Sequence, residues 1–210
     1  MNFWRNSNFN RIIFKNYDLL VNNLNCKYVW KCDQKYIQNI YDKNITRNHI
    51  EIGPGTGYFL KKYKFDNLTL IDVNQDILEE SSRNLENNCK NINIINHNIF
   101  EKNNKLEIKN YNSIGINYVL HCVPNDLSYS ISNMINNIPN NNLTLFGSTV
   151  IPSEKDKFSL AQLEIYFLNK FGIFNNKSHS VNDISLYIKN NFQNYNMNKI
   201  GNSFLFEIKN

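Results

Sequence analysis

The sequence predicts an α/β protein with a mostly parallel sheet and helices on both faces. Three observations carry this. Short β-branched runs alternate with amphipathic stretches from His49 onward, the pattern of right-handed βαβ units. A glycine-rich loop follows the first of those runs, and two alternating runs around Gly201 close the chain as an antiparallel hairpin. A length of 210 residues suits one domain with an ample core. Apolar residues at 41% and charged residues at 20% exclude a disordered or collagen-like chain.

Taken in order, residues 1–46 read as an N-terminal helical cap. In RIIFKNYDLLVNNL, Ile12, Ile13, Tyr17, Leu20 and Leu24 recur at three- and four-residue spacings. After the aromatic connector CKYVWKC, Asp33 is placed to cap a second helix through Tyr36, Ile37, Ile40 and Tyr41. Residues 47–150 form a core, with strands expected near 48–53, 67–72, 91–96, 112–120 and 141–150 and helices near 57–64, 75–87 and 126–136.

Residues 151–192 follow as a pair of helices. The first, SEKDKFSLAQLEIYFLNKF, carries two apolar stripes: Phe158, Ala161, Ile165 and Leu168, then Leu160, Leu163, Phe167 and Phe171. Stripes that wide predict contact on two sides, with Gly172 as a left-handed cap. A second helix is expected near 181–190, and residues 193–210 form the hairpin. The whole chain reads as one domain.

Composition narrows function by exclusion. About one residue in five is Asn, with Ile and Lys also common, a bias that AT-rich coding DNA explains. The net charge of +5 comes from scattered lysines with no run beyond Lys61 and Lys62, so nucleic acid is not the expected partner. No apolar run approaches the roughly 18 residues that span a bilayer, and the N-terminus lacks a secretory pattern. A soluble, cytoplasmic protein without a membrane partner is expected. Cys26, Cys32, Cys89 and Cys122 show no C-x-x-C spacing and read as reduced thiols. The histidines and cysteines show no metal-ligand spacing, so no metal is expected.

The strongest signal is EIGPGTGYFL over 51–60. Gly53, Gly55 and Gly57 allow backbone conformations closed to other residues and let a ligand approach the main chain. The loop lies at the carboxyl edge of the predicted sheet, where open α/β folds bind ligands. Asp72 ends the second strand, placed to accept both hydroxyl hydrogens of a ribose. The spacing is G-x-G-x-G rather than the dinucleotide G-x-G-x-x-G, Tyr58 standing where the last glycine would be, and no G-K-[ST] follows.

These residues resemble the class I S-adenosylmethionine-dependent methyltransferases. The short motifs NHIEIGPGTGYFL, GINYVLHCVP, LTLFGSTV and NKFGIFNN are similar to small methyltransferases of natural-product and polyketide pathways. The resemblance implies a Rossmann-like seven-stranded sheet, mostly parallel, with the last strand inserted antiparallel. It also implies S-adenosylmethionine as cofactor and S-adenosylhomocysteine as product. Glu51 is then expected near the methionine end, with Gly53, Pro54 and Gly55 passing the cofactor closely and Gly57 starting a helix. Asp72 would hold the ribose, Val73 and Asn74 would border the adenine, and Asn98 with Ile99 would face its amino group. Asn98 departs from the acidic residue usual in the family.

The residues after the fourth strand, Asn117 to Pro124, would face the sulfonium. His121 is the candidate general base there, with a backbone-bonded structural role as the alternative. Cys122 reads as packing, and Asp126 as a helix cap. The segment lacks [DN]-P-P-[YFW], the run that grips exocyclic amines in nucleic-acid and glutamine methyltransferases. The substrate side is expected from Tyr28, Trp30, Tyr166, Phe174 and Asn175, with ordinary packing as the alternative for the aromatics. The expected function is methyl transfer to a small molecule, at a hydroxyl oxygen of a secondary metabolite. The alternatives are an RNA or protein methyltransferase, or a protein that binds the cofactor without turnover.

Overall fold

The computed structural model describes residues 25–108, 110–123, 126–138, 144–153 and 159–209. The predicted helix over 11–24 and the start of the long helix at 154–158 lie outside the described residues. Within them the first regular helix is α1 (Gln34–Asn44), capped by the Asp33 side chain accepting from Lys35 N–H. It precedes β1 (Asn48–Ile52), β2 (Phe65–Asp72), α2 (Gln75–Leu85) and β3 (Cys89–Asn96). Then come β4 (Ser113–Asn117), α3 (Leu127–Asn137), β5 (Thr144–Val150), α4 (Leu160–Lys170), α5 (Val181–Asn191), β6 (Asn194–Ile200) and β7 (Ser203–Lys209).

The seven strands form one sheet in the order β3-β2-β1-β4-β5-β7-β6. The first five in that order are parallel, and β7 is antiparallel to both neighbours. Strand alternation sorts the core into two layers. Ile50, Ile52, Ile114, Ile116 and Leu145 pack on one side with Leu127, Ile131 and Met134 of α3 and Ile184 and Ile188 of α5. Leu68, Leu70, Phe146 and Leu205 pack on the other side with Ile37, Ile40 and Tyr41 of α1 and Leu78 and Leu85 of α2. His49, Glu51, Ser113, Gly115 and Asn117 share that second side. The chain leaves β1 toward β2 and later returns to β4 on the opposite flank, so the sheet switches direction between β1 and β4. A crevice at the carboxyl ends of these strands follows.

Three expectations are corrected. The helix over 57–64 is only a 3-10 turn, Tyr58–Leu60, with Gly57 left-handed at φ 76°. Only residues 53–64 link β1 to β2, and the glycine loop takes the first five. Seven helical residues rise about 10 Å, short of the roughly 16 Å that a five-residue strand spans. A more extended path is required, so Gly57 does not start an α-helix. The strand expected over 112–120 ends at Asn117, because Tyr118 adopts φ 51° and a 3-10 turn follows at Leu120–Cys122. The second apolar stripe of α4 is not covered by the described residues: Leu160, Leu163, Phe167 and Phe171 are all exposed, whereas Ala161 and Ile165 are buried. The Gly172 cap and the Gly201 turn stand as expected, both glycines having positive φ. Among the described residues no helix is long and apolar enough to cross a membrane.

Candidate active site

The glycine loop leaves β1 at Gly53, whose N–H donates to Ile71 O at 2.8 Å. Gly53 has φ 66°, and a Cβ there would meet Val119 Cγ2 at 2.3 Å. Its bare α-carbon therefore lets the β1 and β4 exits close on one another. A cavity of about 400 Å³ opens beside it, lined by Gly53, Asp72, Val73, Asn98 and Ile99. Val119, Cys122, Val123 and Tyr129 complete its wall on the β4 side. A smaller recess of about 70 Å³ adjoins it across Gly53, lined by Glu51, Pro54, Gly55, Gly57 and Asn117, with Tyr41 and Tyr118.

Asp72 ends β2 half-buried in the cavity, with Oδ1 accepting from Asn74 N–H at 2.9 Å. Burial raises its carboxyl to about 6, against the lowering effect of the Asn74 and Val73 N–H groups. Asn74 does not border the cavity as expected. Its side chain accepts from Asp76 N–H at 3.0 Å and caps α2. Asn98 lines the cavity, but its Oδ1 already accepts from Phe100 N–H and its Nδ2 donates to Glu101. One lone pair on that oxygen remains for a ligand.

In the recess, Glu51 is a buried carboxylate. Its Oε1 accepts from Tyr41 O–H at 2.6 Å, and its Oε2 lies 2.9 Å from His49 Nε2. Asn117 accepts from the Ser148 hydroxyl at 2.7 Å, and its buried Nδ2, on the side of the Tyr41 phenol, has no partner within hydrogen-bond distance among the described residues. A buried donor left unpaired is costly, and this one lines the recess. Together with Gly55, beside which a Cβ would find open space, it marks a cradle shaped for a polar ligand.

His121 does not stand at the mouth of this site. It is buried, with Nδ1 accepting from Val150 N–H at 3.2 Å. Its ring packs against Phe174 at 4.1 Å, Trp30 at 6.3 Å and Tyr118 at 6.1 Å. Burial, aided by His179, pushes its imidazole down to about 3. The positive φ of Tyr118 and the 3-10 turn Leu120–Cys122 carry the chain away from β4, with His121 buried and Cys122 on the cavity wall. Burial and the nearby Asp72 charge push the Cys122 thiol up to about 12, leaving a neutral packing group rather than a nucleophile.

The expected substrate residues are not gathered into one pocket. Trp30 and Phe174 are buried in the cluster around His121, with Trp30 Nε1 donating to Glu164 at 2.7 Å. Tyr28 and Tyr166 are exposed. Asn175 is a backbone staple: its N–H donates to His121 O and its Nδ2 to Cys122 O. Sequence reasoning missed Tyr41, Tyr129 and the lining role of Cys122. Tyr41 was legible only as an apolar helix position, and Tyr129 lies one turn beyond the Asp126 cap, which does form. Among the described residues no group of three or more His, Cys, Asp or Glu side chains is placed to hold a metal ion.

The residues present suit S-adenosylmethionine. Asp72 would hold the ribose hydroxyls, the Asn98–Ile99 wall would flank the base, and the glycine loop with Glu51 and Asn117 would take the amino-acid end. Comparison with known proteins agrees, although no family model matches the chain. Demethylluteothin O-methyltransferase of Streptomyces thioluteus is 29% identical over 175 residues, covering 80% of this chain and 74% of that protein. Methyltransferase aurB of Calcarisporium arbuscula is 27% identical over 220 residues, covering 95% and 94%. Among solved structures, a SAM-dependent methyltransferase from Aquifex aeolicus aligns with TM-score 0.58 at 12% identity, covering 90% of this chain and 94% of that one. A sheet with its last strand inserted antiparallel, a carboxylate at the end of β2 and an open glycine cradle thus coincide with these likenesses, and in fold and site the chain resembles the class I S-adenosylmethionine-dependent methyltransferases.

Proposed function

We propose that the protein methylates a hydroxyl oxygen of a small, largely apolar molecule, a secondary metabolite. The observation that carries this is the wall beyond β4. Val119, Cys122, Val123 and the Tyr129 ring offer an apolar surface with one weakly polar thiol, as small-molecule pockets tend to. The run from Asn117 to Leu120 also lacks the Pro-Pro-aromatic element that grips exocyclic amines. The similarity to demethylluteothin O-methyltransferase supports the same reading.

The cofactor, when bound, supplies a methyl carbon made electrophilic by its sulfonium. The chain's part is alignment and exclusion of water. Gly53 and Val119 close the floor, and Asp72 orients the nucleoside. His121, held low and bonded through Nδ1, pins the turn after β4 rather than removing the acceptor's proton. Such a site favours acceptors whose hydroxyl ionises readily, phenols and enols, over aliphatic alcohols. The test is mass-spectrometric detection of methyl transfer by the purified protein to a panel of phenols, hydroxypyrones, aliphatic alcohols, amines and bulk RNA. Transfer to the acidic hydroxyls is expected. Transfer to RNA or amines with none to any hydroxyl overturns the reading.

A further inference from the structure

We infer that Tyr41 and His49 are positioning residues that hold Glu51 as the acceptor for the ammonium group at the amino-acid end of the cofactor. The inference rests on S-adenosylmethionine being the cofactor and goes beyond it by assigning two residues outside the glycine loop.

His49 and Glu51 sit two apart on β1 and so share a face. The Glu51 partner on β4 is Gly115, and the His49 partner is Ser113. A Cβ at Gly115 would lie 2.2 Å from Glu51 Oε2 and 3.2 Å from His49 Nε2, so the missing side chain makes room for this pair. Ser113 Oγ meets His49 Nδ1 at 2.8 Å, and Thr46 N–H donates to the same oxygen at 3.0 Å. That chain of contacts fixes the ring with Nε2 on Glu51. From the other side Tyr41 reaches in from α1, its ring stacked on Phe59 and edge-on to Phe146. Burial and the Glu51 charge hold the Tyr41 phenol well above its ordinary value, so it stays a donor at every working pH.

Tyr41, His49 and Glu51 are each at most 3% exposed. One donor on each oxygen leaves a carboxylate lone pairs to spare, and among the described residues no Lys or Arg lines the recess. The recess therefore presents carboxylate lone pairs beside Asn117 Nδ2, which has no hydrogen-bond partner among the described residues. A carboxylate acceptor next to such a donor complements a zwitterion, the ammonium toward Glu51 and the carboxylate toward Asn117.

The experiment is calorimetric titration with three ligands: S-adenosylhomocysteine, its deaminated analogue, and 5′-methylthioadenosine, which lacks the amino-acid end. In the wild-type protein the deaminated analogue is expected to bind at least about tenfold more weakly than S-adenosylhomocysteine, as loss of a charged hydrogen bond requires. Equal binding of the two overturns the inference without any variant. Tyr41→Phe keeps the ring packing and is expected to weaken S-adenosylhomocysteine about tenfold while leaving 5′-methylthioadenosine unchanged. Added to Glu51→Gln, it should cost nothing further, because it acts through Glu51. Equal losses for both ligands, or additive losses in the double variant, reduce Tyr41 to a structural residue. Failure of the wild-type protein to bind any of the three refutes the cofactor instead.

Discussion

If Asp72 holds the ribose as proposed, acidification is expected to weaken cofactor binding through this one carboxylate. Asp72 stands at about 6 in the free protein, whereas an unfolded aspartate titrates near 3.9. The neutral acid is thus the form that the free fold prefers. Its contribution to stability is complete below about pH 3.9 and is lost as the pH rises through about 6. Ligand binding runs the other way, since ribose hydroxyls donate to the carboxylate and not to the acid. The bound form holds the charge, so affinity falls by up to about tenfold per pH unit once the pH drops below about 6. Calorimetry with S-adenosylhomocysteine should show little change from pH 8 to 7 and a loss of about tenfold at pH 5. Asp72→Asn should abolish that step and weaken binding at pH 7.5 by about 1.5–3 kcal/mol. It should also raise the melting temperature of the free protein, because a carboxylate held about two units high costs up to about 3 kcal/mol when charged, less for a half-buried group. An affinity flat between pH 7.5 and 5 in a folded protein refutes the assignment of Asp72 to the ribose.

Two further variants probe the rest of the site. Gly53→Ala puts a methyl 2.3 Å from Val119 Cγ2 at a positive φ. It should destabilise the fold by about 1–3 kcal/mol and abolish S-adenosylhomocysteine binding, and retained affinity by calorimetry would show the loop to be looser than described. His121→Asn removes a ring packed on Phe174 and Trp30. Its expected effect is a lower melting temperature with turnover reduced only a few-fold and no shift in the pH profile of kcat/KM. A loss of about a hundredfold at unchanged stability would restore His121 as the general base.

The sheet was legible in the sequence because its strands are β-branched runs bounded by Asn and Gly, and because the glycine loop is a local requirement. Asp72 was legible for the same reason: a strand-ending carboxylate beyond the loop needs only the βαβ register to be placed. Asn98 and Asn74 look alike in sequence as polar residues after a strand. Only the fold shows that one lines the cavity while the other caps α2. The helix expected at 57–64 failed on length, since helical periodicity says nothing about how far a crossover must reach.

The sequence by itself determined the alternation of strands and helices, the glycine loop and the carboxylate that ends β2, each a matter of local pattern or short spacing. The tertiary structure decided what faces what. The positive φ of Tyr118 turns the chain after β4 so that Cys122 meets the cavity and His121 is buried. The absent side chain at Gly115 admits the His49–Glu51 pair, and α1 carries Tyr41 onto Glu51. Each depends on segments distant in sequence meeting across the sheet. Local propensity does not encode such meetings, since a residue's burial and hydrogen-bond partners are set only once both layers have packed.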